Sequence, residues 1–124
     1  MIEIELPWPD KALNPNSRVH HHEKAQVKAL ARHAAKNITL DELPRTDLIP
    51  LWTSEHYQAM YIFHPPNKRH RDIDNCFAMC KPYQDGICDA IHINDKTIKR
   101  TVLEWGEVQK PGKVVVRLEE MNND

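Results

Sequence analysis

The sequence predicts a small α/β (α+β) domain in which two main helices pack on one mixed β-sheet, in the order β-α-β-α-β-β. Three observations predict this fold. The chain has 124 residues, which is enough for one domain. Segments that alternate apolar and polar residues are followed by segments with apolar residues at helical spacing. Turn-forming residues separate these segments, so residues 1–124 are expected to form a single layered domain.

The first half of the chain contains one predicted strand and one predicted helix. Residues 2–6 alternate apolar and acidic side chains, which predicts a half-buried strand that ends at Pro7-Trp8-Pro9. A helix is predicted from about His20 to Ala35, because apolar side chains recur there at helical spacing. These apolar positions are Val27, Leu30, Ala31 and Ala34. Residues 37–56 contain two prolines and show no sustained period, so we expect a long connection there.

The second half begins with a strand predicted at Tyr57–Phe63, which is rich in aromatic and β-branched residues. A polar loop, Asn67–Arg71, leads into a second helical pattern, and Pro82 is expected to kink or restart that helix. One apolar stripe predicts its buried side: Cys76, Cys80, Tyr83, Ile87, Ala90 and Ile91. Two final strands are predicted at about Thr97–Trp105 and Val114–Leu118, joined by a turn that contains Pro and Gly.

Composition excludes membrane, secreted and collagenous proteins. The mean hydropathy is −0.67, and no apolar run approaches the ~20 residues that a membrane helix needs. The N-terminal residues lack the basic start and apolar stretch of a signal peptide. The three cysteines are odd in number and lie close together, which is typical of a reducing compartment rather than a disulfide scaffold. We therefore expect a cytoplasmic protein without membrane contact.

The distribution of charge is more informative than its sum. The formal net charge is −1, which is not the signature of a nucleic-acid-binding protein. However, Lys68, Arg69 and Arg71 lie within four positions of one another, whereas residues 119–124 carry only negative charge. A basic patch beside acidic residues suits an enzyme that acts on phosphodiesters. The alternative is an ordinary solvated surface.

The basic loop is followed directly by two aspartates, Asp72 and Asp74, at the junction of loop and helix. Their spacing allows both carboxylates to point to one place, and Mg²⁺ prefers such oxygen ligands. Asp95 lies in a polar turn after the second helix and would complete a three-carboxylate site if that helix folds back. The alternative is that Asp72 and Asp74 cap the helix N-terminus, where aspartate is common.

Lys81 is the basic residue that helical geometry places on the same helix face as Asp74, two turns away. At ~100° per residue, Asp74, Ala78, Lys81 and Asp85 share one helix face, opposite the apolar stripe. Helical side chains lean toward the N-terminus, so Lys81 is expected to lean toward the aspartates. The alternative is an ordinary ion pair between Lys81 and Asp85.

Cysteine and histidine spacings also fit a zinc-stabilised binding module. Cys76 and Cys80 are four positions apart, as are Cys88 and His92. Structural zinc sites usually take their cysteines from turns, whereas these cysteines lie on an apolar helix face. We therefore interpret them as small buried side chains. The run His20-His21-His22 is compatible with a metal-binding tract, but we interpret it as the start of a helix.

The run from Phe63 to Asn75, FHPPNKRHRDIDN, followed by Asp95 after the helix, resembles the RusA family of Holliday-junction resolvases. Three further segments are similar to phage-borne members of that family: Leu6–Pro9, Pro15–His20 and Lys81–Ile87. The resemblance implies a Mg²⁺-dependent, homodimeric endodeoxyribonuclease of α/β fold that acts in the host cytoplasm. Such enzymes cut four-way DNA junctions by paired incisions in recombination and repair. Residues 37–56 show no resemblance.

The resemblance also implies residue roles. Asp72, Asp74 and Asp95 would be the catalytic carboxylates and would bind Mg²⁺, for which Mn²⁺ can substitute. Some family members carry an important lysine one turn beyond the second aspartate. That place is Ala78 in this chain, so Lys81 is expected to serve instead.

The expected partner is branched DNA. Lys68, Arg69 and Arg71 would bind backbone phosphates with little base specificity. A four-way junction has two-fold symmetry, so a homodimer would place one site on each of two strands. The alternative is a non-catalytic protein of the same fold that binds branched DNA. The presence of all three aspartates favours the enzyme.

Overall fold

The computed structural model of the chain describes residues 1–43 and 53–121. These residues form a mixed sheet with helices in a single α+β domain, as predicted. The strands and α-helices of this part of the chain are β1 (Ile2–Pro7), α1 (His21–Glu42), β2 (Tyr57–His64), α2 (Ile73–Met79), α3 (Lys81–Ile91), β3 (Ile98–Trp105) and β4 (Lys113–Glu120). Two 3₁₀ turns, Lys11–Leu13 and Asp95–Thr97, precede α1 and β3. No helix within these ranges combines the length and apolar character that crossing a membrane requires.

The four strands lie in the order β1-β4-β2-β3. β2 pairs with β3 in parallel, and β4 pairs antiparallel with both β1 and β2. The predicted turn before β4 is present, with a cis Lys110–Pro111 bond and Gly112 at a φ of 95°. It does not make a hairpin of the last two strands, because β2 lies between them.

The core lies on one face of this sheet. Every second residue is buried in β1, in β2 and from Val114 to Leu118 of β4, which confirms the alternating pattern at residues 2–6. The predicted apolar stripe packs in the same core: Cys76, Cys80, Tyr83, Ile87, Ala90 and Ile91 are all buried. The three cysteines are free thiols that fill space in this core, which confirms their interpretation as small buried side chains.

The second helical pattern is divided at the place that Pro82 predicts. α2 ends at Met79 and α3 begins at Lys81, with Cys80 between them at a φ of −90° and a ψ of 0°. Proline is tolerated in the first turn of a helix because no intrahelical bond needs its missing N–H. The chain therefore restarts as a second helix instead of continuing with a kink.

α1 differs from its prediction in both length and orientation. It continues to Glu42, so the long connection expected from residue 37 is wrong for residues 37–42, while residues 44–52 lie outside the described part. Leu30, predicted on the buried side, is 69% exposed, whereas Ala35 and Thr39 are fully buried. The Thr39 hydroxyl donates a 2.7 Å hydrogen bond to the carbonyl oxygen of Ala35.

Gly86 of α3 explains this orientation. A Cβ at that position would overlap the carbonyl oxygen of Arg32 and would lie 2.9 Å from the Cβ of Ala35. The backbones of α1 and α3 therefore approach closely, and only small side chains fit between them. This contact turns the Ala35 side of α1 toward the core and leaves Leu30 in solvent.

Candidate active site

The basic loop is held together by Arg71. Its guanidinium donates hydrogen bonds to the carbonyl oxygens of Asn67 (3.2 Å) and Arg69 (3.0 Å), and to the Asn67 side-chain oxygen (3.0 Å). The same group lies 5.4 Å from the ring centre of Trp8, within the range of a cation–π contact. Arg71 therefore fixes the loop on the end of β1. No local pattern in the sequence predicts this contact between Arg71 and Trp8.

Lys68 and Arg69 differ from Arg71. Both side chains are exposed, and within the described ranges neither makes a hydrogen bond or an ion pair. The loop backbone is ordered beneath them, since the Arg69 amide donates a 3.0 Å bond to the Asn67 side chain. Two of the three predicted phosphate ligands are thus cations on a folded loop without a partner in the part of the chain that the structure describes.

Asp72 and Asp74 lie where this loop enters α2. Asp72 occupies the N-cap position, and its carbonyl accepts the amide of Cys76 at 3.1 Å, but its carboxylate makes no capping hydrogen bond. That carboxylate is exposed and lies 3.7 Å from the Nε2 atom of His70. Asp74 is in the first turn, is exposed and has no hydrogen-bond or ion-pair partner among the described residues. Neither side chain is therefore used as a hydrogen-bonded cap.

A cleft of about 680 Å³ opens beside Asp72. The basic loop contributes Arg69 and Arg71 to its lining, which also includes Trp8 and Lys11. Three of the predicted site residues therefore share one concave surface.

Lys81 binds two carboxylates, and neither belongs to the first acidic pair. Its Nζ atom lies 3.0 Å from Oδ1 of Asp85 and 2.7 Å from Oδ2 of Asp95. The ion pair with Asp85 was the alternative interpretation, and it is confirmed. The expectation that Lys81 leans toward Asp72 and Asp74 is wrong, because Asp85 and Asp95 hold its ammonium group.

The contacts of Lys81 shift two pKa values. Partial burial lowers the pKa of Lys81, but the hydrogen bonds to Asp95 and Asp85 outweigh it, so the pKa is raised overall. The hydrogen bond from Lys81 lowers the pKa of Asp95. Both groups are therefore charged throughout the neutral range. Asp95 is held as a carboxylate beside a permanent cation.

A second ion pair near this group links α1 to α3. Arg32 donates from Nε to Oδ2 of Asp89 at 2.6 Å and from Nη2 to Oδ1 at 2.9 Å, a two-point contact. The bond from Arg32 lowers the pKa of Asp89. Sequence analysis missed this pair, because the two residues are 57 positions apart and no local pattern connects them.

The fit of a divalent cation depends on both chemistry and arrangement. Asp72, Asp74 and Asp95 offer only carboxylate oxygens, which is the donor chemistry that Mg²⁺ prefers. Within residues 1–43 and 53–121, however, no three His, Cys, Asp or Glu side chains are grouped closely enough to hold a metal ion. The donors therefore suit the ion, but Asp95 is paired with Lys81 rather than grouped with the other two.

The three cysteines are buried in the core, and Cys76 also contributes to the lining of the cleft beside Asp72. Burial raises the pKa of all three thiols, that of Cys88 to about 11. The thiols are thus protonated near neutral pH and act as packing groups. The histidine run takes the position that we expected: His20 is the N-cap of α1, and its Nδ1 accepts the amide of His22 at 3.3 Å.

Comparison with known proteins gives a relative without an assigned function. No family model matches the chain. An uncharacterized protein of Xylella fastidiosa strain Temecula1 is 35% identical over 124 residues, and the match covers 95% of this chain and 76% of the relative. An identity of this size over nearly the whole chain indicates common descent and a shared fold. The chain therefore belongs to the same protein family as this uncharacterized Xylella fastidiosa protein.

Proposed function

We propose that the chain is a Mg²⁺-dependent, structure-selective endodeoxyribonuclease that resolves four-way DNA junctions by paired phosphodiester hydrolysis. One observation carries the proposal. The carboxylates of Asp72 and Asp74 are exposed and make no capping hydrogen bond in the helix that they begin. They directly follow a loop with two cations, Lys68 and Arg69, that pair with no residue in the described ranges. Carboxylates kept free beside a phosphate-attracting loop suit metal-assisted chemistry on DNA.

Each charged group has a separate role in this proposal. Asp72 and Asp74 would hold the cation, which when bound would supply an activated water and offset charge on the scissile phosphate. Asp95, which is paired with Lys81 in the structure, would join them by exchanging that partner for the cation. Lys81 keeps Asp95 ionised and places a fixed positive charge beside it, where it can stabilise a phosphoryl oxygen.

In this proposal the basic loop supplies affinity for DNA that does not depend on the base sequence. Lys68 and Arg69 bind backbone phosphates on either side of the cut, and such contacts release counterions and weaken with salt. Arg71 contributes indirectly, because its contacts with Asn67 and Trp8 keep the loop folded against the cleft. The basic loop and Asp72 would therefore contact the same DNA strand.

Selectivity for four-way junctions follows from symmetry. A junction has two equivalent strands to cut, and a two-fold dimer presents two equivalent sites. We therefore propose a homodimer that acts on branched DNA in the cytoplasm of a bacterial host.

A non-catalytic protein that binds branched DNA is the second candidate. The observation that favours it is the engagement of Asp95 by Lys81, together with the lack of a three-ligand group within the described ranges. Such a protein would use the basic loop in the same way and would bind junctions without cutting them.

Cleavage of a synthetic four-way junction separates the two candidates. The purified protein is incubated with the labelled junction in Mg²⁺, Mn²⁺, Ca²⁺ or EDTA, with a linear duplex of the same sequence as the control substrate. The nuclease is expected to make paired nicks in Mg²⁺ and Mn²⁺ only. Ca²⁺ has a larger and looser ligand shell, so it should support binding without efficient cleavage. Junction binding without nicks in any metal supports the second candidate, and full activity in EDTA contradicts the metal mechanism.

A further inference from the structure

A groove of about 790 Å³ lies between α1 and the pair α2–α3, and we call it the α1 groove. One wall is α1, which contributes the cations Lys24, Lys28 and Arg32 at every fourth position. The other wall contributes Lys81, with Asp85 beside it. Residues four apart lie on one side of a helix, so the three cations of α1 form a row along the groove.

The cations of the α1 groove outnumber its acidic groups. Within its described lining, Asp85 is the one carboxylate against four cations. Arg32 is paired with Asp89, and Lys81 is paired with Asp85 and Asp95. Among the described residues, Lys24 contacts only the carbonyl oxygen of Asn14, at 3.5 Å. Lys28 is exposed and makes no hydrogen bond or ion pair with the described residues. The groove is thus suited to an anion that extends along α1.

The floor of the groove is apolar and includes an aromatic ring. Phe77, Ala78 and Pro82 form this floor. The Phe77 ring meets Tyr61 edge to face, with ring centres 5.1 Å apart, and the residue is only partly buried. A row of cations over an aromatic floor is the combination with which proteins bind single-stranded nucleic acids, since the cations follow the phosphates and the bases stack.

We infer that the α1 groove binds an unpaired DNA strand, with its phosphates along Lys24 and Lys28 and its bases against Phe77. An intact duplex fits less well, because its bases are stacked inside and offer nothing to the apolar floor. The inference rests on the proposed function: after a strand has separated at a junction, the α1 groove would guide that strand past Lys81. The groove and the cleft beside Asp72 together would then follow the path of one strand.

Binding of an end-labelled oligothymidylate in EDTA tests the inference. Fluorescence anisotropy is measured over a range of salt concentrations for wild type, Lys28→Ala and Lys36→Ala. Lys36 is an exposed lysine of the same helix that does not line the groove, so it is a matched control. Lys28→Ala is expected to weaken binding and to reduce the log–log salt slope by about 0.7, the value for one phosphate contact on a single strand. Lys36→Ala and Lys28→Arg should behave like wild type.

Three results would overturn the inference: wild type that does not bind oligothymidylate, equal losses in Lys28→Ala and Lys36→Ala, or competition by polyglutamate as strong as by unlabelled oligothymidylate. The last result would indicate a site for acidic peptides. Because binding is measured in EDTA, it is independent of cleavage. If the protein never cuts a junction but Lys28→Ala shows the expected loss, only the nuclease proposal fails. If junctions are cut in Mg²⁺ and Lys28→Ala binds normally, only the groove assignment fails.

Discussion

The ammonium group of Lys81 lies 2.7 Å from the carboxylate of Asp95, a residue fourteen positions later in the chain. Lys81 is the first residue of α3, and Asp95 begins the 3₁₀ turn that follows the helix. A second contact, to Asp85 at 3.0 Å, makes the lysine a bridge between two carboxylates. The bridge fixes the turn after α3 against the start of that helix, and it keeps Asp95 charged.

The first prediction concerns the pH dependence of this bridge, tested with Lys81→Gln. The pKa of Asp95 is lowered by its hydrogen bond from Lys81, so its contribution to stability is present above the unfolded pKa of about 3.9 and is lost as the pH falls through the folded value. The pKa of Lys81 is raised, so its contribution is lost only above about pH 10.4. In urea unfolding at neutral pH, the free energy of unfolding of Lys81→Gln should be lower than that of wild type by about 0.2–1 kcal/mol. The loss is small because the ion pair is about half exposed.

The control for this prediction is Lys28→Gln, which removes the same charge from α1 at an exposed position that makes no hydrogen bond or ion pair with the described residues. Its effect on the free energy of unfolding should not change over the acid range in which the effect of Lys81→Gln disappears. A loss in Lys81→Gln that persists unchanged to about pH 2 would show that the lysine acts through packing and not through Asp95.

The second prediction concerns the contact between α1 and α3. If the space beside Gly86 were empty, Gly86→Ala would raise the free energy of unfolding by about 1 kcal/mol, because alanine has the higher helix propensity. Because the new methyl group would meet the backbone of Arg32, we expect instead a loss of about 1–3 kcal/mol in the free energy of unfolding. Denaturant titration gives the sign directly.

Ala25→Gly is the matched control, since Ala25 is exposed in the interior of α1 and lies outside the groove lining, so it reports helix propensity. It should destabilise by about 1 kcal/mol. A stabilising effect of Gly86→Ala would contradict the close approach of the two helices, and with it the width of the α1 groove.

The sequence predicted the elements in which burial follows a regular period. The predictions for β1 and for the stripe from Cys76 to Ile91 are confirmed, because the apolar positions of each pattern are the side chains that the fold buries. Pro82 marked the restart of the helix because its missing N–H is a local constraint. The end of α1 was not predicted, because residues 37–42 are held in the helix by tertiary packing of Ile38 and Thr39, which overrides weak local propensity.

The candidate site was predicted by residue type but not by contacts. Nothing in a local pattern pairs Arg71 with Trp8, or Lys81 with Asp95, because both contacts depend on how distant elements pack. For the same reason, capping by Asp72 is a reasonable alternative from sequence, and only the structure shows that its carboxylate makes no capping hydrogen bond. The row of cations on α1 can be seen in the sequence, because its members are four positions apart. The groove that these cations line cannot be predicted from the sequence, because it depends on how α1 packs beside α2 and α3.

The third prediction separates the two roles in the basic loop. Arg69→Ala should weaken binding to a four-way junction and reduce the log–log salt slope by about 0.9, because one phosphate contact is lost. Its unfolding temperature should not change, since the Arg69 side chain makes no hydrogen bond or ion pair with the described residues. Gel-shift titrations at several salt concentrations and a thermal melt measure both properties.

Arg71→Ala is the contrasting variant. It should lower stability by about 0.5–1 kcal/mol through the lost contact with Trp8. Arg71→Lys should not restore the loop, because an ammonium group cannot reproduce the forked contacts to Asn67. An unchanged salt slope in Arg69→Ala, beside normal folding, would show that this residue does not contact phosphate.

The fourth prediction is that Asp74→Asn separates cleavage from binding. Asparagine keeps the shape and one acceptor oxygen but removes the charge that a divalent cation needs, so Mg²⁺-dependent nicking of the junction should be lost. Junction binding in EDTA should equal that of wild type or be tighter, because one negative charge near the phosphates is gone. A gel shift and a nicking assay on the same junction measure the two effects.

The structural alternative for Asp74 predicts a different result. If the residue only favours the first turn of α2 through its charge, Asp74→Asn costs about 0.3–1 kcal/mol of stability and leaves cleavage intact. Asp41→Asn, an exposed aspartate in the last turn of α1, controls for the general loss of one charge and should cut junctions at the wild-type rate. Both variants are compared at equal folded fractions. Wild-type cleavage by Asp74→Asn under these conditions would remove Asp74 from the catalytic site, and the nuclease proposal would lose the observation that carries it.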